Sequence, residues 1–296
     1  MSDSTSSSLI QNIKNALPEF STAFRQLANF ILENTFAASS MGIEEISQKA
    51  EVSVATVNRF ACHCGYTGYP QFRADLRSLF DKIFEPVEKI RSDNLRQADE
   101  QEIIQLSLEA TAKNIQEAQN TLPQNAITDA LELILSARFI FVAGMGVSAL
   151  HASFMVDCLE PYLPNKIREI NGFCGAERAF RRTNMLTEQD LLIAITLPRY
   201  SKSTIELVDL AKKHGCQVLA LTDEHTSPIV PLAETSLFIP SQHPVLYAAN
   251  AAMMALIEAI SSAVILKIKH SDFYAEQQTQ IVLPYLYLPG EQNNKQ

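Results

Sequence analysis

The sequence predicts an α/β fold preceded by an all-α N-terminal domain: a helix-turn-helix bundle, then a doubly wound, mostly parallel five-stranded sheet. Three observations predict it. Apolar residues recur every three or four positions over 9–80, the spacing of amphipathic helices. After residue 123 five compact apolar runs appear: "RFIFVAG" (138–144), "KIREI" (166–170), "DLLIAIT" (190–196), "QVLALTD" (217–223) and "TSLFIP" (235–240). Stretches of helical character follow them, notably 147–160, 203–214 and 245–268. Buried strands that alternate with helices build βαβ units and a parallel sheet.

Bulk composition narrows the function classes. At 296 residues and 47% apolar content, the chain has the length of about two domains and enough apolar surface for real cores. No run of about 18 apolar residues occurs, so no membrane-spanning helix and no membrane partner is expected. The opening "MSDSTSSSLI" lacks the basic and apolar regions of an export signal. Five scattered cysteines (62, 64, 158, 174, 216) are odd in number, which argues against a disulfide framework and for a reducing cytoplasm. Cys62 and Cys64 flank His63, but no second Cys/His cluster completes a zinc site, so neither metal nor cofactor is expected. A net charge of −9 excludes a generic nucleic-acid binder, because phosphate contacts need cations. Residues 53–82 depart from that average: Arg59, Arg73, Arg77 and Lys82 outnumber Asp75 and Asp81.

In chain order, Ile10, Ile13 and Leu17, then Phe20, Phe24, Leu27, Phe30 and Ile31, mark the first helices. Residues 43–64 read as two helices and a tight turn. Ile43, Ile46 and Ala50 form one face of the first. Ser53 sits at the N-cap of the second, which spans roughly 54–64 and is expected to bury Val54, Val57, Ala61 and Cys64. Gly65 ends it. The opposite face offers Ala55, Thr56, Asn58, Arg59 and His63. Small and hydrogen-bonding residues in the first turns suit a helix that enters the major groove: Ala55 allows close approach, Thr56 and Asn58 can meet base edges or phosphates, and Arg59 carries a fork suited to guanine or phosphate. An ordinary surface helix has the same spacing, so both readings stand at this point.

"ISQKAEVSVATVNRFACHCGYTGYPQFRADL" resembles the N-terminal domain of the RpiR family of transcription regulators. The similarity lies in Val-Ser-x-Ala-Thr-Val-x-Arg-Phe, the following Gly-Tyr-x-Gly-Tyr and the closing Phe-Arg-x-x-Leu. The resemblance implies sequence-specific binding of double-stranded DNA, with Ser53 and Thr56 at phosphates or bases and Asn58 and Arg59 at bases. Ala55 lies at the approach and Lys49 at the backbone. Tyr66 and Tyr69 are expected to pack the domain. Glu51 departs from the family, which usually has glycine or another neutral residue there.

Residues 81–122 read as a charged helical linker between a reading domain (1–80) and a second domain (123–270). The second domain opens with "FVAGMGVSALHASFMVDCL". Gly144 and Gly146 permit a tight turn after a strand, and Ser148 stands at a helix N-terminus, where the dipole favours anions. A dinucleotide fingerprint begins the same way, but alanine occupies its third glycine position and only Asn171 ends the next strand, so that reading is weaker. A second loop, "TLPRYSKST", gathers Thr196, Arg199, Ser201, Ser203 and Thr204 before a helix. Hydroxyls, helix-start amides and one guanidinium suit a phosphate monoester. His243 precedes the last long helix near the same edge. That apolar helix reads as core or as an interface between copies, and 271–296 reads as an extended strap and tail.

This half resembles the SIS (sugar isomerase) domain in its Gly-x-Gly-x-Ser opening, "DLLIAIT", "KHGCQVLALTD" and "SPIVPLAE". The family's commonest second loop is Ser-x-Ser-Gly-x-Thr; here the glycine is lost and an arginine gained. The resemblance implies a phosphosugar or related small anion held at Gly144, Gly146, Ser148, Thr196, Arg199, Ser201, Ser203, Thr204 and His243. Joined to a DNA-reading motif, this is the layout of a ligand-responsive cytoplasmic transcription factor acting as a homodimer or homotetramer. The alternative is a sugar-phosphate isomerase, for which His151, His243 and Glu258 are the candidate acid–base groups.

Overall fold

A computed structural model describes residues 3–172 and 175–287. The chain divides into two compact units, Met1–Ser92 and Asp93–Gln296.

The first unit is all helical: α1 (Asp3–Ala16), α2 (Thr22–Glu33), α3 (Thr35–Ser40), α4 (Ile43–Lys49), α5 (Val54–His63), α6 (Tyr69–Ser78) and α7 (Asp81–Arg91). Ser21 starts α2 by accepting the Phe24 N–H. The buried core comprises Ile13, Leu27, Ile31, Ile46, Val57, Phe60, Phe72 and Leu76. Phe60 is its hub, edge-on to Phe20, Phe24 and Phe72 at 5.5, 5.5 and 5.9 Å. Offset and edge contacts of this kind add to the burial of each ring. Val54, expected inside, is 42% exposed. The inward stripe of α5 is Thr56, Val57, Phe60 and Ala61, so the helix is rotated relative to the expected face.

The second unit begins with α8 (Asp93–Gln97), α9 (Glu100–Thr121) and α10 (Gln124–Ser136). Asp99 caps α9 by accepting the Glu102 N–H at 2.8 Å. The stretch expected as linker, 81–122, therefore holds α7 in the first unit and α8 and α9 in the second. Asn114 on α9 is buried and donates to the Gln242 carbonyl at 2.7 Å. That bond makes α9 part of the α/β unit.

There follow β1 (Ile140–Gly144), α11 (Ser148–Leu159), β2 (Ile167–Glu169), α12 (Gly175–Thr183), β3 (Leu191–Ile195), α13 (Lys202–Lys213), β4 (Gln217–Thr222), β5 (Thr235–Phe238), α14 (Asn250–Lys267) and α15 (Ser271–Val282). The five strands pair in the order β2-β1-β3-β4-β5, and all four pairings are parallel. Residues of α10, α11 and α14 share one apolar core with the sheet, including Ile134, Met155, Met253 and Ile193. Residues of α12 and α13 share another, including Ala179, Leu207, Val208 and Val218. Every residue of β3 is buried, as a central strand covered on both faces must be.

Two expectations need correction. The first is the absence of any helix long and apolar enough to cross a membrane: α14 is one. Its Met253, Leu256, Ile257, Ile260 and Val264 face nevertheless packs in the core. The second concerns the strap, which is helical over Ser271–Val282, and the following Tyr285, Leu286 and Tyr287 are exposed rather than packed. Residues 288–296 of the expected tail lie outside the described residues.

Candidate functional site

The turn between α4 and α5 is compact. The Val52 N–H donates to the Ser47 carbonyl at 2.9 Å, and Glu51 takes a left-handed φ of 52°. Ser53 then caps α5: its Oγ accepts the Thr56 N–H at 3.1 Å and lies 2.8 Å from the Thr56 hydroxyl. Thr56 is only 7% exposed. This corrects its expected role: its side chain completes the cap from inside and is not offered to a groove.

Asn58 is exposed, yet its Oδ1 accepts the Tyr69 N–H at 3.1 Å. Helix α6 has no capping side chain of its own, since Gly68 precedes it, so Asn58 caps it from the neighbouring helix. Its Nδ2 group is left for other partners. Ala55 and Arg59 share the exposed face, and among the described residues no hydrogen bond or ion pair holds Arg59. Lys49 stands on the preceding helix in a half-exposed pair with Glu45 at 3.2 Å, an interaction of small worth. Tyr69 donates to the Met41 carbonyl at 3.0 Å, and burial pushes its pKa up to about 12. Tyr66 donates to Asp75 at 2.5 Å. Both tyrosines pack the unit. Burial likewise pushes the Cys64 thiol up to about 11, which keeps it protonated near neutral pH and a weak nucleophile.

In the α/β unit the strand order reverses between β1 and β3. Open parallel sheets bind ligands at such a switch point, outside the carboxyl ends of the strands. Gly144 is paired level with Ile195, so the loops after β1 and β3 leave the sheet side by side. A Cβ on Gly144 would lie 2.1 Å from the Ser148 carbonyl oxygen, so only glycine lets α11 start this close to β1. Gly146 turns through φ 61°, and buried Ser148 opens α11.

The second loop carries more strain. Arg199 has φ 68°, a costly conformation for a side chain of its size, and its guanidinium lies 5.1 Å from the centre of the Tyr247 ring. Tyr200 donates to Asp223 at 2.9 Å, tying this loop to the end of β4. Ser201 occupies the N-cap of α13 without a capping bond from its side chain, and Ser203 is half-buried. Thr204 is fully buried, and its Oγ1 has no hydrogen-bond partner. Thr196 is buried, with its carbonyl accepting the Thr222 hydroxyl at 2.8 Å. Gly144, Gly146 and Ser148 thus follow the carboxyl end of β1, and Thr196, Ser201, Ser203 and Thr204 that of the adjacent β3. His243 instead shapes the turn before α14, where its Nδ1 accepts the Val245 and Leu246 N–H groups at 3.1 and 2.8 Å.

Comparison with known proteins adds a second line. The rpiR-family helix-turn-helix domain matches residues 7–82, and the SIS domain matches 133–265. The chain belongs to the RpiR family of helix-turn-helix transcriptional regulators. RpiR relatives run along most of its length. The regulator HexR of Pseudomonas aeruginosa is 28% identical over 237 residues, covering 78% of this chain and 79% of that one. The regulator RpiR of Escherichia coli is 22% identical over 228 residues, covering 76% and 74%. Among solved structures, NanR of Vibrio vulnificus complexed with ManNAc-6P aligns with a TM-score of 0.57 at 20% identity, covering 95% of this chain and 100% of that one. The sugar isomerase domain of an RpiR transcription factor from Sphaerobacter thermophilus gives a TM-score of 0.55 at 21% identity, covering 60% and 97%. This RpiR-family chain carries the helix-turn-helix of a DNA-binding regulator, and its curated relatives are named as transcriptional regulators. His151, one of the acid–base candidates for an isomerase, is 1% exposed, and burial lowers its pKa against a hydrogen bond to the Asn250 backbone that raises it.

Proposed function

We propose that the SIS domain senses a phosphorylated sugar or a related small anion, and that occupancy changes the affinity of the N-terminal domain for operator DNA at sugar-metabolism genes. The carrying observation is the pair of loops after β1 and β3. They flank the switch point of an SIS sheet, in one chain with a helix-turn-helix whose α5 face is exposed. Residues 1–80 serve as reader and 123–270 as sensor. Arg59 reads bases. Ser53, Ala55, Asn58 and Lys49 meet the duplex around it. Ser148, Ser201, Ser203 and Thr204 hold the anion with Gly144, Gly146, Thr196 and Arg199 around them. Binding of ManNAc-6P by the NanR relative supports this ligand class.

The regulator acts in the cytoplasm as a homodimer or homotetramer, because two-fold symmetry pairs recognition helices with half-sites about one DNA turn apart. Ligand coupling of this kind is worth about 1–3 kcal/mol. The test is footprinting combined with melting curves over a phosphosugar panel. A two-fold symmetric footprint should vanish in Arg59→Ala, with the circular-dichroism spectrum unchanged. Some sugar phosphate should raise the melting temperature, and Ser148→Ala or Ser203→Ala should lose that shift. A panel that moves no melting point removes the effector class; a footprint retained by Arg59→Ala removes Arg59 as reader.

A further inference from the structure

We propose that Asn171 reads a hydroxyl group of the effector, and so selects a phosphorylated sugar over a bare anion. The inference rests on the pocket reading above and goes beyond it, because it names the residue that distinguishes a sugar phosphate from an anion with no hydroxyl to donate.

Asn171 lies two residues past the end of β2, the strand beside β1. It is 5% exposed. Its Nδ2 donates to the carbonyl of Gly144, the residue from which the β1 loop departs, at 3.2 Å. A carbonyl can only accept, so the orientation of the amide is fixed: Nδ2 faces Gly144 and Oδ1 faces away from it. That Oδ1 is buried and has no donor.

The support on either side is firm. Arg182 donates to the Glu169 and Ile170 carbonyls at 2.6 and 3.3 Å, and Ile170 N–H continues the ladder to Val142 at 3.0 Å. Gly172 turns the chain immediately afterwards through φ 50°. Asn171 is therefore held on a rigid frame with one acceptor unspent, the condition for a group that discriminates between ligands.

A buried acceptor left unpaired is costly, so it marks either a bound water or a ligand donor. The side chains of the two loops proposed to hold the anion, Ser148, Ser201, Ser203, Thr204 and Arg199, are hydroxyls and a guanidinium, suited to phosphate oxygens. The phosphoryl group of a sugar-phosphate dianion, like sulfate, presents acceptors only and cannot satisfy Oδ1. A sugar phosphate brings both kinds of group, its phosphate to the serines and a hydroxyl to Asn171. Sites built to bond a substrate hydroxyl reject analogues that lack it far more strongly than apolar pockets reject a missing methylene.

The experiment is calorimetric titration of the full chain with sulfate, with aldose and ketose 6-phosphates, and with the monodeoxy analogues of the best of them. Asn171→Ala, which removes one buried hydrogen bond to the sugar, should weaken the sugar phosphate about 10- to 100-fold and leave sulfate within about twofold. One monodeoxy analogue should bind the parent protein as poorly as the full sugar binds the variant, and bind the variant no worse. If the variant loses both ligands by the same factor, or neither, the assignment is overturned and Oδ1 is a water site. Should Asn171→Ala unfold, Asn171→Ser and the deoxy series on the unaltered protein decide: an indifferent series overturns the assignment. Failure of every sugar phosphate to bind the unaltered protein overturns the pocket reading itself, which indifference at residue 171 does not.

Discussion

The Oδ1 of Asn58 accepts the main-chain N–H of Tyr69 at 3.1 Å, so a residue on the exposed face of α5 starts the next helix. Asn58→Ala should cost about 1–2 kcal/mol by denaturant unfolding, the worth of a lost N-cap. Asn58→Asp keeps the acceptor and should keep the stability. It also swaps the Nδ2 donors for a negative charge, so its footprint should weaken. Equal stability of all three proteins would show that the bond contributes nothing.

Glu51 sits in the left-handed region that glycine adopts freely. Glu51→Gly should raise stability by about 0.4–1 kcal/mol, because the strain of φ 52° exceeds the extra freedom given to the unfolded chain. Removing an acid from the turn should also strengthen DNA binding at low salt, with the gain fading as screening sets in. Melting curves and a salt series measure both effects. An unchanged or lower melting temperature would count against the strain argument.

How much of this is legible in the sequence alone? The helix-turn-helix is readable because its signals are local: Ser53 caps α5 and Gly65, at φ 93°, ends it. The parallel sheet is readable because strands buried on both faces leave unbroken apolar runs, as Leu191–Ile195 does. What depends on distant neighbours stays hidden. Nothing local tells that Asn58 caps a helix eleven positions on, or that Thr56 turns inward while Val54 turns out. Helix α12 escapes notice because "GAERAFRRT" shows few apolar residues, and it buries chiefly Ala179 and Thr183. The strap is suggested by prolines that lie beyond α15 rather than inside it. In the sequence Asn171 marks only the place where an acid is missing; its unspent oxygen emerges from the bond to Gly144.

Gly144→Ala should abolish the ligand-dependent melting shift. A Cβ 2.1 Å from the Ser148 carbonyl oxygen is a backbone clash, which no side-chain rotation relieves. The ligand-free footprint should survive, since this loop belongs to the other unit. Gly146→Ala should cost less, about 1 kcal/mol, because its neighbourhood is open and only φ 61° is strained. A Gly144→Ala protein with an intact shift would overturn the close-approach account.

Acid stability should depend on Asp190. Burial raises the pKa of this carboxylate, but the Arg138 guanidinium at 2.8 Å and the Thr187 N–H and hydroxyl, both at 3.0 Å, outweigh it and hold the pKa below the usual value. A depressed folded-state pKa gives stability that is present above the unfolded value of about 3.9 and is lost as pH falls through the folded one. Asp190→Asn should therefore lower stability at pH 7 and flatten the acid limb below about pH 4. Parallel acid limbs in the two proteins would sink the assignment.

The level pairing of Gly144 with Ile195 carries a lesson for anyone who would graft loops between such regulators. Each residue along a strand advances the chain about 3.3 Å and reverses the side it faces. A single insertion or deletion upstream in β1 or β3 would push one corner of the cradle past the other by roughly the width of a phosphate oxygen, and turn its inward groups outward. Chimaeras that preserve strand length should keep their response to metabolite even when every loop side chain is exchanged for a relative's, whereas a frame slip of one residue should silence it with all of them intact.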